Sequence, residues 1–111
     1  VPAGADTDRL IHEGVLSAMR PTAIVVNTAR GSVVDEAALG AALEAGVIAA
    51  AGLDVYEREP NVHPALLGND RVVLLPHLGS ATIEARTAMG LQAAANLDAF
   101  FAGAALPDPV A

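Results

Sequence analysis

Four polar residues of this 111-residue chain could do chemistry together: Arg30, Asp54, Glu59 and His77. Arg30 follows an apolar run in "AIVVNTARGSVVDE", Asp54 and Glu59 fall in "AGLDVYEREP", and His77 falls in "VVLLPHLGSAT". Arginine presents a planar fork that grips a carboxylate through two parallel N–H bonds. Histidine donates or accepts a proton near neutral pH. A carboxylate beside it can hydrogen-bond the imidazole, fix its tautomer and favour its charged form, which is the functional reading of Glu59. Asp54 offers acceptors for an amide or hydroxyl of a ligand. Each residue also has a structural alternative. Arg30 could pair with a surface acid, His77 could pack after a strand, Glu59 could be a solvated loop charge, and Asp54 could cap the turn that follows it.

The elements that must position these residues follow from periodicity. Leu10, Ile11, Val15, Leu16 and Met19 are spaced for an amphipathic helix over about residues 6–19, with Gly14 a possible break into two short helices and Pro21 its end. Residues 23–27 form a short apolar run that reads as a buried parallel strand. Asp35 is placed to cap a second helix in which Leu39 and Leu43 share a face, and Gly46 is placed to stop it. Residues 50–55 and 71–75 read as two more buried strands, separated by a proline-containing loop and at most one helical turn. A long helix runs from Ser80 or Thr82 to about Phe101, and Pro107 and Pro109 mark an unstructured tail.

Alternation of helices and strands implies an α/β layer with a parallel sheet, whose ligands bind at the carboxyl ends of the strands. Arg30, Asp54 and His77 all lie within a few residues of such ends. Three strands make a poor parallel sheet, since such strands are normally flanked and covered. The chain opens on Val1-Pro2, and no G-x-G-x-x-G occurs in it. The expectation is therefore the C-terminal half of a Rossmann-like dinucleotide-binding domain, incomplete without its N-terminal half.

Composition excludes several classes. The net charge is −7, and all six positive charges are arginines scattered along the chain, which argues against a nucleic-acid surface. There is no cysteine, so disulfides and thiolate metal sites are out. No apolar run reaches the ~18 residues of a membrane span, and no signal peptide is visible. The expected setting is the cytoplasm. His12 and His63 have no chemical company and read as surface or packing residues. No histidine pair has metal-ligand spacing, and "RGSVV" lacks the second glycine of a nucleophile elbow.

Taken in order, "NTARGSVVDEAAL", "AGLDVYEREP" and "LLPHLGSAT" resemble the D-isomer-specific 2-hydroxyacid dehydrogenases. The likeness covers nearly the whole chain, and the ending "GSAT…AMGLQAAANLDAFFAGAALP" looks most like the glyoxylate/hydroxypyruvate reductase branch. The resemblance implies that residues 1–80 are the second half of an NAD(P)-binding domain. Residues 81–111 would then be the C-terminal helix and tail returning toward a substrate domain outside this chain. It implies NAD or NADP as cofactor, a small 2-oxo or 2-hydroxy acid as substrate, and a full-length homodimer that meets neither nucleic acid nor membrane.

The resemblance also assigns roles. Arg30 matches the arginine that binds the α-keto carboxylate, His77 the acid/base at the carbonyl oxygen, and Glu59 the carboxylate that pairs with this histidine. Asp54 matches a residue near the nicotinamide carboxamide, and Thr28, Ala29 and Gly79, with Arg30 and His77, match positions around the nicotinamide. Hydride transfer to a ketone builds negative charge on oxygen, which a cation and a proton donor stabilise more than the ground state. Glutamate at position 59 sets the chain apart from the formate dehydrogenase branch, which has glutamine there. The glycine-rich phosphate loop and the residue that selects NAD or NADP are not among the 111. "PAGADTD" is richer in glycine and alanine than the loop expected there. Two other readings stay open: a non-catalytic, dinucleotide-responsive partner-binding protein resembling the corepressors of this fold, and an inactive truncated product.

Overall fold

The computed structural model describes residues 1–109. They divide into two compact units, Val1–Gly79 and a second that begins at Ser80. The elements of the first unit are helix α1 (Glu13–Ser17), strand β1 (Ile24–Asn27), helix α2 (Glu36–Glu44), strand β2 (Ala50–Leu53) and strand β3 (Val72–Leu74). Short 3-10 turns lie at Ala5–Thr7, Gly31–Val33 and Pro64–Leu66.

The strands form a parallel sheet in the order β1-β2-β3. Val25 pairs with Ala51 and Ala51 with Val72, while Val26 pairs with Gly52 and Gly52 with Val73. Side chains alternate between faces along a strand, so Val25, Asn27, Ala51 and Leu53 share one face, and all four are buried. Leu39 and Leu43 of α2, one helical turn apart, pack in the same core with Leu16, Ile48 and Leu66. Asp35 caps α2 by accepting from the Ala38 N–H at 2.9 Å, and Gly46 leaves it at φ 70°. Gly40 lets α2 approach the Pro64–Leu66 turn, since a Cβ there would overlap the Ala65 methyl.

Two expectations need correction. The apolar runs predict strands buried on both faces, but Ile24, Val26 and Val73 are each more than 60% exposed. Within the first unit the packed layer lies on one face only, and the other presents an apolar surface. The amphipathic helix over residues 6–19 is also replaced. Arg9 and Ile11 donate to the carbonyls of Ser32 and Val33, Asp35 donates back to Ile11, and Ile11 bridges Val34 in parallel. Arg9 sits in a left-handed turn at φ 46° and Ile11 in the bridge, so only Glu13–Ser17 remains α-helical, with Gly14 inside it rather than breaking it.

The second unit is built on helix α3 (Ile83–Phe101), capped by Thr82, whose Oγ1 accepts from the Ala85 N–H at 3.1 Å. Gly103 ends it at φ 66°. Asn96 bonds both the side chain and the backbone N–H of Asp108, drawing the tail back along the helix, and bonds from Gln92 and then Asn96 hold the Asp108 carboxyl below the usual carboxylate range. The last two residues of the expected tail lie outside the described residues. No helix among the described residues is long and apolar enough to cross a membrane.

Candidate active site

The carboxyl ends of the three strands are tied to one another. The Asp54 N–H donates to the Asn27 carbonyl at 3.0 Å, and the Leu75 N–H to the Leu53 carbonyl at 2.8 Å. The candidate residues rise from these tips.

His77 follows β3 in a left-handed backbone conformation, φ 56°. A residue with a Cβ visits that region rarely, at a cost of about 1–3 kcal/mol, and stays there only when neighbours hold it. Asp54 does the holding. Its Oδ1 accepts from the Leu78 N–H at 2.6 Å and its Oδ2 from the Gly79 N–H at 2.8 Å. Asp54 is buried at the tip of β2, where a carboxylate persists only with charge-assisted bonds of this kind. The structure therefore gives Asp54 a capping task, but on the turn after β3 rather than on the turn that follows Asp54 in the chain.

Glu59 meets this turn from the proline loop. Its Oε2 lies 2.8 Å from His77 Nδ1, and its Oε1 accepts from the Tyr56 N–H at 3.1 Å. An ionised carboxylate only accepts, so Nδ1 carries a proton and Nε2 is left for a ligand. The bond to His77 holds the Glu59 carboxyl below the usual glutamate range. The Tyr56 N–H adds to the effect, and the charge of Arg30 pulls weakly in the same direction. The pair is accessible, with side-chain exposures of 47% for His77 and 38% for Glu59. Beside it lies a largely apolar cavity of about 320 Å³ whose wall includes Tyr56, Pro60 and Leu75.

Arg30 is placed by a buried asparagine. Asn27 Nδ2 donates to the Arg30 carbonyl at 2.9 Å and Oδ1 accepts from the Ala29 N–H at 3.0 Å, closing the turn past β1. The guanidinium is exposed; NH1 donates to the Ala29 carbonyl at 2.7 Å. A guanidinium has five N–H donors, so one such bond leaves capacity for a carboxylate. Gly31 then lies against the Tyr56–Glu57 backbone so closely that a Cβ would overlap the Tyr56 carbonyl. The turn bearing Arg30 and the loop bearing Glu59 are thus packed backbone to backbone. Thr28 is exposed and Ala29 half-buried at the same strand tip, and Gly79 sits in the turn after His77.

Sequence reasoning missed Asn27, Glu36 and Tyr56. Asn27 had a signal, as the polar residue closing an apolar run. Tyr56 stands between Asp54 and Glu59; its hydroxyl donates to the Leu75 carbonyl at 2.7 Å, and burial pushes its phenol up. Glu36 looks like any acid in a helix's first turn, yet it is buried and bonded to the Glu59 loop. His12 and His63 turn out to be capping residues, each accepting through Nδ1 from an N–H two residues on. Among the described residues no group of three or more acidic, histidine or cysteine side chains could hold a metal.

Residues 1–79 match the model of the D-isomer specific 2-hydroxyacid dehydrogenase NAD binding domain. The chain is 54% identical over 103 residues to a glyoxylate reductase of Pyrococcus furiosus, covering 93% of this chain and 31% of that protein. It is 44% identical over 109 residues to the hydroxyphenylpyruvate reductase of Plectranthus scutellarioides, covering 98% and 35%. It superposes with TM-score 0.96 and 49% identity on an NADPH-dependent glyoxylate/hydroxypyruvate reductase of Sinorhizobium meliloti, solved with NADP and malonate, over 100% of this chain and 35% of that one. The chain spans about a third of the length of these relatives.

Proposed function

Since the chain belongs to the D-isomer-specific 2-hydroxyacid dehydrogenases, we propose that it is part of an NAD(P)H-dependent reductase that converts a small 2-oxo acid, glyoxylate or hydroxypyruvate in kind, to a D-2-hydroxy acid. The observation that carries this reading is the His77–Glu59 pair, closed at 2.8 Å and accessible, at the strand tips that also bear Arg30. The S. meliloti relative holds a dicarboxylate, malonate, together with NADP, and an exposed arginine at a strand tip fits an anion of that kind.

Residues 1–80 are read as the second half of the cofactor domain, and residues 81–111 as a helix and tail that belong with a substrate domain. The residues present fit the nicotinamide end of the cofactor: Thr28, Ala29 and Gly79 line the strand tips, and Asp54 stands behind the His77 turn. When bound, the nicotinamide supplies the hydride. The full-length protein is read as a cytoplasmic homodimer.

Arg30 binds the substrate carboxylate through the fork of its guanidinium and so fixes which carbonyl face is presented. His77 donates from Nε2 to the carbonyl oxygen as negative charge builds there. Glu59 accepts the Nδ1–H throughout, so the ring keeps one tautomer and one orientation. Asp54 and Asn27 hold the turns from which His77 and Arg30 project.

The test is NADH and NADPH oxidation by the full-length protein with glyoxylate, hydroxypyruvate and pyruvate, beside Arg30→Ala. Turnover that is lost with Arg30 while cofactor affinity is retained is the expected result. Cofactor binding without turnover on any 2-oxo acid would overturn the reading and favour a nucleotide-sensing, partner-binding protein.

A further inference from the structure

We propose that Glu36 is a positioning residue for the reduction: it clamps the two ends of the loop that carries Glu59 and so keeps that carboxylate against His77. The inference rests on the reading of Glu59 given above.

Glu36 is 3% exposed, in the first turn of α2. An acid there is usually a solvated charge facing the helix's positive end. Glu36 instead turns into the protein and spends both oxygens on another segment. Oε1 accepts from the Glu57 N–H at 2.8 Å and Oε2 from the His63 N–H at 3.2 Å. The backbone adds a return bond, from the Glu36 N–H to Glu57 Oε1 at 3.4 Å. Glu59 lies between the two clamped amides, on a stretch whose own closure includes the Asn61 N–H to Arg58 carbonyl bond at 2.8 Å.

The chemistry requires a carboxylate at this position. Two N–H donors converge from opposite ends of the loop, and only a group with an acceptor on each side meets both. Glutamine has nearly the same shape but presents an NH₂ to one of the donors. One end of the loop would be released, and Glu59 would shift relative to Nδ1. Small displacements of a group in the reacting geometry cost up to about 100-fold in rate.

The experiment is a double-mutant cycle on the full-length enzyme with Glu36→Gln and Glu59→Gln, reading kcat and both KM values for reduction of a 2-oxo acid. The expected result for Glu36→Gln is a fall in kcat of about 10- to 100-fold with KM for NAD(P)H unchanged. In the Glu59→Gln background the same change should cost less than about twofold, because the group it positions is already gone. An equal loss in both backgrounds, or no loss in either, overturns the proposal. Glu59→Gln with unaltered turnover overturns it together with the role given to Glu59, which separates the two failures. Amide hydrogen exchange on the unaltered protein needs no variant. Slow exchange at Glu57 and His63 supports the clamp, and exchange as fast as an open loop overturns it.

Discussion

His77 Nδ1 and Glu59 Oε2 meet at 2.8 Å although the two residues are 18 positions apart and stand on different segments. One follows β3, the other lies in the loop after β2, and each is held by bonds that do not involve the other.

The pair has a pH signature. The Glu59 carboxyl sits below the usual glutamate range, chiefly through its bond to His77. A carboxyl depressed on folding contributes stability above its unfolded value, and that contribution is lost as pH falls through the folded one. Carbon-13 titration of the Glu59 carboxyl should therefore give a midpoint below that of an ordinary glutamate, moving up toward it in His77→Ala. A Glu59 midpoint at the ordinary value, indifferent to His77, would mean that the contact does not persist in solution.

Removing the proton donor should slow the chemical step and leave binding alone. In full-length protein His77→Ala is expected to lower kcat by about 10²- to 10⁴-fold, with substrate affinity largely retained. Stopped-flow reduction and equilibrium titration separate the two quantities. Unchanged turnover would remove His77 from the proton-transfer role.

Asp54→Asn probes what keeps His77 left-handed. An asparagine has one acceptor for the two N–H donors of Leu78 and Gly79, so one buried donor would face an NH₂. Leaving such a donor unmet costs about 1–3 kcal/mol, and the turn should relax. We expect a lower denaturation midpoint together with reduced turnover; a fully stable variant with altered cofactor affinity alone would make Asp54 a ligand-binding residue instead.

Gly31→Ala should separate the turn bearing Arg30 from the loop bearing Glu59. The new methyl would overlap the Tyr56 carbonyl, which is backbone and cannot rotate away. Overpacking of this sort costs about 1–3 kcal/mol. Denaturant unfolding measures it, and a variant as stable as the parent would show that the two backbones are not in contact.

The sequence by itself determined the parallel α/β order, the Asp35 cap and Gly46 stop of α2, the long helix behind Thr82, and the placing of Arg30, Asp54 and His77 at strand tips. These are local matters: periodicity, turn residues and caps act over a few positions, and each stretch carries its own signal. Tertiary structure decided the rest. Residues 9–11 leave the helical pattern, with Arg9 in a left-handed turn and Ile11 in a bridge, because the turn after β1 offers their backbone partners that no local pattern announces. Ile24, Val26 and Val73 read as core, but burial on both faces of a strand requires two packed layers, and the first unit has one. Glu36 and Asn27 read as unremarkable polar residues until packing buried them and aimed their bonds at the Glu59 loop and the Arg30 turn. His77 took its left-handed conformation from Asp54, 23 positions earlier in the chain. A hydrogen bond between segments that far apart depends on where the core sets each backbone, and that is a property of the whole fold rather than of any one stretch.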